Sequence, residues 1–268
     1  MIPTSLHLLL LLLTLLSIRY WLRLYQTRRM SSVFQLNPQR SQLEMSAPVV
    51  LALLWITLQL TTMISKTVQP EPPLAKPITL NDIIGSCVIT FSFGTVLILI
   101  LTLLNPNKMQ NLGFRLNQKT GQIRDGSVGF LLALLPVMAL LLLTHSFRTE
   151  ETMHPFFQQL KEHPEFSTIS WILISAVLVA PLFEELVYRV LFQSWLEKLL
   201  PPYIAILTSS LVFSIVHGFP DCIPLFPLAF ILGTLFYYRR SYAANVITHA
   251  LFNGVNLALA LANQPPAS

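Results

Sequence analysis

The sequence predicts an all-α protein, a polytopic membrane helical bundle with about eight transmembrane segments. Of its 268 residues, 53% are hydrophobic and only 11% are charged, whereas a soluble domain carries about 25% charge. Mean hydropathy is +0.62. Apolar runs of roughly 20 residues, the length that crosses a bilayer core as a helix, recur along the whole chain, and a helix satisfies its own backbone in lipid.

The first run, Met1 to Leu22, is almost pure leucine between Leu8 and Ile18. It has no basic n-region and no small-x-small cleavage site, and Arg19, Arg23, Arg28 and Arg29 follow it. A retained signal-anchor is therefore expected in place of a cleaved signal peptide. Ser46 to Ile64, Ile83 to Leu104 and Val128 to Phe147 supply the second, third and fourth segments. Thr168 to Leu200 is the fifth and is too long for one simple span. Tyr203 to Gly218, Ile223 to Tyr238 and Ala243 to Ala262 complete the set.

Lys and Arg accumulate in cytoplasmic loops, and here they alternate with every expected crossing. The loops after segments one, three, five and seven hold twelve of them (Arg19, Arg23, Arg28, Arg29, Arg40; Lys108, Arg115, Lys119, Arg124; Lys198; Arg239, Arg240). The intervening loops hold four, Lys66, Lys76, Arg148 and Lys161. Both termini are thus expected on the non-cytoplasmic face of a bacterial-type inner membrane. The net charge of +5 follows from this topology, so no nucleic-acid partner is expected. Cys87 and Cys222 share no metal-ligand spacing and read as small buried hydrophobes. The proline-rich stretch Thr67 to Pro77 reads as an extended outer connection. Nothing in the sequence specifies an oligomeric state.

Three domains are expected: accessory helices over residues 1–167, a catalytic helical core over 168–262, and a C-terminal tail over 263–268. The chemistry concentrates in the core. Glu184, Glu185 and Arg189 stand inside the fifth apolar segment, where an ionisable group costs roughly 3 kcal/mol on insertion scales and marks a functional site by default. Glu185 and Arg189, four apart with the acid first, can pair on one helix face. Glu184 lies about 100° away on a helix and points elsewhere. Pro181 just before it loosens the local ladder. His217 ends the run from Phe213, while His249 and Asn253 share one face of the last segment. His7, His145, His154 and His163 sit near segment ends or in a polar loop and carry little signal.

At 1.5 Å of rise per residue, Glu184, His217 and Asn253 lie about 20 Å, and His249 about 14 Å, from the nearest cytoplasmic anchor. One glutamate, two histidines and an asparagine are therefore expected at a common level. A carboxylate and an imidazole can deprotonate a water, and a second imidazole with an amide can donate to an oxyanion. Alternatively, Glu184, His217 and His249 could ligate Zn²⁺ with one position open. Against zinc stand the lack of a two-histidine helical turn and the expected commitment of Glu185 to Arg189, which removes it as an outer partner for a ligating histidine. The favoured reading needs no cofactor.

Glu184-Glu185-x-x-x-Arg189, then Phe213-x-x-x-His217, then His249-x-x-x-Asn253, on successive apolar segments, resembles the three-motif signature of the CPBP family of CAAX prenyl endopeptidases and bacteriocin-processing intramembrane proteases. The resemblance covers roughly Thr168 to Ala262. It implies an intramembrane endopeptidase in which Glu184 and His217 activate the water, His249 and Asn253 stabilise the oxyanion, and Glu185 with Arg189 supports the site. Its partners would be the bilayer and a membrane-associated or lipid-modified peptide or protein. Val190 stands where many bacterial members place a glycine, which argues against close helix approach there. Other intramembrane protease classes fit poorly: the chain has no His-Glu-x-x-His, Gly-x-Ser-Gly or Gly-x-Gly-Asp. A transporter would place interrupted helices in two corresponding halves, yet the charged residues inside segments crowd into the second half. A non-catalytic membrane adaptor that retains the site is the other alternative.

Overall fold

A computed structural model describes residues 4–37, 42–68, 78–115, 119–149, 155–163 and 165–262. Arg40, Lys76, His154, most of the proline-rich connection and the tail over 263–268 lie outside the described residues. The described chain is helical and strand-free, and the protein is an integral multi-pass membrane protein. In order the helices are α1 (Thr4–Thr27), α2 (Ala47–Val68), α3 (Leu80–Leu104), α4 (Lys119–Leu143), the short α5 (Pro155–Glu162), α6 (Phe166–Leu199), α7 (Pro202–Ile215), α8 (Cys222–Arg239) and α9 (Tyr242–Ala262). All eight expected segments are present as helices, and seven are long and apolar enough to cross a membrane. The exception is α7. Its 14 residues rise about 21 Å, short of the roughly 30 Å hydrocarbon core. It stops three residues before the expected end because the chain turns over Val216 to Asp221, with Gly218 at φ 73°, a conformation that glycine adopts at no steric cost.

Local chemistry explains where the helices start. Thr79 caps α3 by accepting from the Asp82 backbone N–H, and the Asp82 carboxylate accepts from the Thr79 backbone N–H in return. Pro201 breaks the chain after α6, and Pro202 opens α7 at a position that needs no N–H donor. Arg240, in a left-handed conformation, turns α8 into α9. The side chain of Arg240 explains why glycine is not used there: it is buried, paired with Glu197, donates to Ser194 Oγ at 3.1 Å and lies 4.8 Å from the Phe236 ring centroid.

α6 is a single long helix with two wider, π-helical stretches, Ile174–Val179 and Leu186–Gln193, on either side of the glutamate pair. The Ala180 N–H donates to the Ser175 carbonyl, five residues back. The wider turn precedes Pro181, whose missing N–H and ring disfavour a regular α ladder at this point. The second stretch is buried along its whole length and packs against α2, α7 and α8.

α4, from the first half of the chain, packs against α1, α8 and α9. Two glycines allow the approach to α9: a Cβ on Gly129 would meet Thr248 Oγ1 at 2.5 Å, and one on Gly126 would meet Ile247 at 2.7 Å. Thr248 Oγ1 donates to the Gly126 carbonyl at 2.8 Å. That contact fixes the rotation of α9 and hence the direction of its next residue, His249. Leu8, Leu11, Leu12 and Leu15 of α1 are exposed, the pattern of a lipid-facing helix.

Candidate active site

Glu185 is the hub of the site. It is fully buried, and three side chains converge on its carboxylate. Arg189 Nε pairs with Oε2 at 3.2 Å, Asn245 Nδ2 donates to Oε2 at 3.2 Å, and His249 Nδ1 lies 2.9 Å from Oε1. An ionised carboxylate only accepts, so the ring hydrogen on Nδ1 of His249 points at Glu185. Nε2 is left facing Glu184, whose Oε2 is 3.7 Å away. Glu184 is 26% exposed where Glu185 is closed off, so the first carboxylate reaches open space and the second does not. The 100° offset of adjacent residues on a helix separates them in this way.

Arg189 is held in turn. Nη1 donates to Ser209 Oγ on α7 at 3.2 Å, that hydroxyl donates to the Tyr188 carbonyl at 3.0 Å, and the guanidinium sits 5.1 Å from the Phe213 ring centroid. Phe213 also touches both histidine rings, His217 at 4.9 Å and His249 at 5.7 Å between centroids. One aromatic ring therefore spaces the buried cation from the two imidazoles. His217 Nδ1 lies 2.7 Å from the Phe213 carbonyl. A carbonyl can only accept, which assigns the hydrogen to Nδ1 and leaves Nε2 as the outward nitrogen. His217 follows the short end of α7 and is exposed.

Glu184, His217, His249 and Asn253 all line one cavity of about 430 Å³. Asn253 is only partly available to it, because Nδ2 donates to the Ala176 carbonyl in the first wide stretch of α6 at 2.8 Å. An amide carries two N–H donors, so one remains. The structure thus brings the four residues to a common wall and keeps Glu185 and Arg189 behind it. Among the described residues no group of three His, Cys, Asp or Glu side chains is clustered closely enough to hold a metal ion. The expected commitment of Glu185 to Arg189 alone needs correction: its two oxygens serve different partners, Oε2 the arginine and Oε1 the histidine. A carboxylate has about four lone-pair sites, enough for both partners. Val190 is fully buried. Cys87 is buried, Cys222 is partly buried, and both are free thiols.

Residues 166–255 match the family model described as type II CAAX prenyl endopeptidase Rce1-like. The match covers about a third of the chain. The match supports the CPBP resemblance and a peptidase of the CAAX type in general. No curated protein and no solved structure matches the chain. The matched segment runs from the start of α6 into α9 and contains the glutamate pair, Arg189 and both cavity histidines. It also contains two residues that sequence reasoning missed. Asn245 had a signal, since Asn245, His249 and Asn253 recur every four residues on one face of α9. Ser209 had none, being one of several hydroxyl residues in an apolar helix.

Proposed function

We propose that the protein is an intramembrane endopeptidase that hydrolyses a peptide bond of a membrane-associated or lipid-modified protein or peptide. The observation that carries this reading is the shared cavity wall of Glu184, His217, His249 and Asn253. Glu184, open to the cavity, takes a proton from water as its oxygen attacks the carbonyl carbon, with His217 Nε2 as the second acceptor that orients it. The developing oxyanion is met by N–H donors, the remaining amide hydrogen of Asn253 and Nε2–H of His249 in its protonated form. The proton taken up by Glu184 then passes to the leaving nitrogen. Glu185 holds the His249 ring in place through Nδ1, and Arg189 neutralises Glu185. The test compares membrane and secreted peptides of cells carrying wild type or Glu184→Ala. Precursors that accumulate with the variant are the expected result, and identical peptide profiles would refute the proposal.

The orientation proposed from the charges places the loop over residues 105–125 in the cytoplasm and the loop over 149–166 outside. Single cysteines at Asn107 and Glu162, with Cys87 and Cys222 replaced, are expected to react with an impermeant reagent from opposite sides. Reaction of both from one side overturns this arrangement.

One observation favours a second reading. Both cavity histidines turn Nδ1 to an outer partner, His249 to the Glu185 carboxylate and His217 to the Phe213 carbonyl, which is how metal-ligating histidines are usually oriented. Glu184, His217 and His249, which are not clustered closely enough to hold a metal ion as they stand, would then have to draw together around Zn²⁺, which would supply a polarised water. The metal-free reading, in which Glu184 itself activates the water, expects full activity after exhaustive chelation. Stoichiometric zinc in the purified protein, with activity lost on its removal and restored on its return, would establish the second reading.

A further inference from the structure

A second cavity, of about 490 Å³, lies where the chain leaves α1 and meets the end of α8; Leu24, Arg28, Arg29, Met30, Leu36 and Tyr238 are among its lining residues. Arg28 and Arg29 directly follow the apolar span His7–Thr27, and Tyr238 is next to last in the span Cys222–Arg239. A cavity at the ends of two spans sits at the level of the lipid headgroups, where tyrosine and arginine are at home. Its walls are fixed without help from the two guanidinium groups. Ser32 Oγ donates to the Arg29 carbonyl at 2.7 Å, Val33 and Phe34 are buried, and the Asn37 N–H donates to the Tyr238 carbonyl at 2.9 Å.

Other arginines near helix ends have acidic partners: Arg148 pairs with Asp221, Arg239 with Asp125 and Arg240 with Glu197. Arg28 and Arg29 are exposed and have no such partner among the described residues, and none of the described acids lines the cavity. Arg28 also stands at φ 51°, which few residues other than glycine adopt. Its N–H closes α1 by donating to the Leu24 carbonyl at 2.8 Å, a cap that glycine makes best. Arg240 has the same left-handed backbone, and its buried side-chain contacts account for it. The guanidinium of Arg28 has no counterpart to those contacts among the described residues. It opens instead, beside a second cation, on a cavity with no described counter-charge.

We propose that this cavity binds an anionic phospholipid, with Arg28 and Arg29 on the phosphate and Leu24, Met30 and Leu36 against the glycerol and the first acyl carbons. Guanidinium groups match phosphate oxygens in geometry and in charge, and basic pockets between spans at the headgroup level take anionic lipid heads. The apolar part of the lining and the position at two span ends favour a lipid over a soluble anion. With no described acid in the lining to receive an ammonium group, a headgroup of net negative charge is favoured over a zwitterionic one. The lipid binds apart from the cavity of Glu184 and His249, on whichever side of the membrane α1 ends.

The test titrates the full-length protein, stripped of lipid in a neutral detergent, with phosphatidylglycerol, with phosphatidylcholine of the same acyl chains, and with inorganic phosphate. Native mass spectrometry counts the molecules bound. Wild type is expected to bind one phosphatidylglycerol about ten- to hundredfold more tightly than phosphatidylcholine. Arg28→Gly should lose most of that preference while folding at least as well as wild type, because glycine takes the left-handed backbone at no steric cost. Arg29→Gln, a change at an exposed side chain, should lose it too. Arg19→Gln with Arg23→Gln removes two charges from α1 outside the cavity lining and should keep it. Equal binding of the two lipids by wild type overturns the proposal, as does a preference that survives in either Arg28→Gly or Arg29→Gln. A loss as large in the Arg19 and Arg23 variant would show diffuse attraction to the charge of α1 in place of a site. Inorganic phosphate bound as tightly as phosphatidylglycerol, and released by the same substitutions, would make this a site for a soluble anion and overturn the lipid assignment.

Discussion

Glu184→Gln is expected to lower turnover by about 10²- to 10⁴-fold, the usual contribution of a positioned acid or base, at an unchanged yield of folded, membrane-inserted protein. The amide has the size of the carboxylate and cannot take the proton of the attacking water. Folding should tolerate it because Glu184 lines the cavity and its contact with His249 Nε2, at 3.7 Å, is long. His249 keeps its stronger anchor on Glu185. The measurement is the initial rate on a precursor that accumulates in Glu184→Ala cells, set beside the monodisperse yield after detergent extraction. Normal turnover would end the assignment of Glu184 as the base, and a collapse in yield would make it a structural residue.

Arg189→Ala should instead unfold the site. Removing one member of a buried ion pair costs on the order of 3 to 5 kcal/mol because the other charge is left unpaired. Here the stranded carboxylate is Glu185, with no exposure to water. The pocket left behind adjoins Ser209 and Phe213, which lose a hydrogen bond and a cation–π contact. Lower yield and a lower melting temperature in detergent are expected. Glu185→Gln combined with Arg189→Met removes both charges at similar volume and should recover much of the folded protein. Activity should stay low in that double variant, since His249 Nδ1 then has a neutral amide in place of its carboxylate. Wild-type stability of Arg189→Ala would show that the ion pair holds nothing together.

The helices were legible because the bilayer imposes a length and a polarity on every span, and that signal survives in composition alone. The glutamate pair was legible for the same reason, as charge inside an apolar run. Less visible was what those residues touch. Asn245 lies 60 residues from Glu185, and Asp221 lies 73 from Arg148, separations at which local periodicity carries no information. In the sequence Arg148 reads only as one of the four outer positive charges, since nothing nearby in the chain marks a residue just past a helix end. The wide stretches of α6 also escaped the reading. Residue propensities describe regular α turns, and Pro181 alone hinted that the ladder changes there. The early stop of α7 was missed by three residues because Val216 and His217 continue the apolar pattern past the point where Gly218 lets the chain turn.

That early stop reaches beyond the protein to its lipid. Tyr203, Leu207, Leu211 and Ile215, at four-residue intervals, put an exposed apolar stripe on α7, a flank suited to acyl chains. A hydrophobic stretch of about 21 Å against a core of roughly 30 Å is met by local thinning of the bilayer or by tilt of its neighbours. The leaflet at the Ile215 end is expected to dip beside His217. A membrane-embedded segment in that leaflet would find the headgroup boundary lowered towards the depth of the cavity, and water would have that much less hydrocarbon to cross.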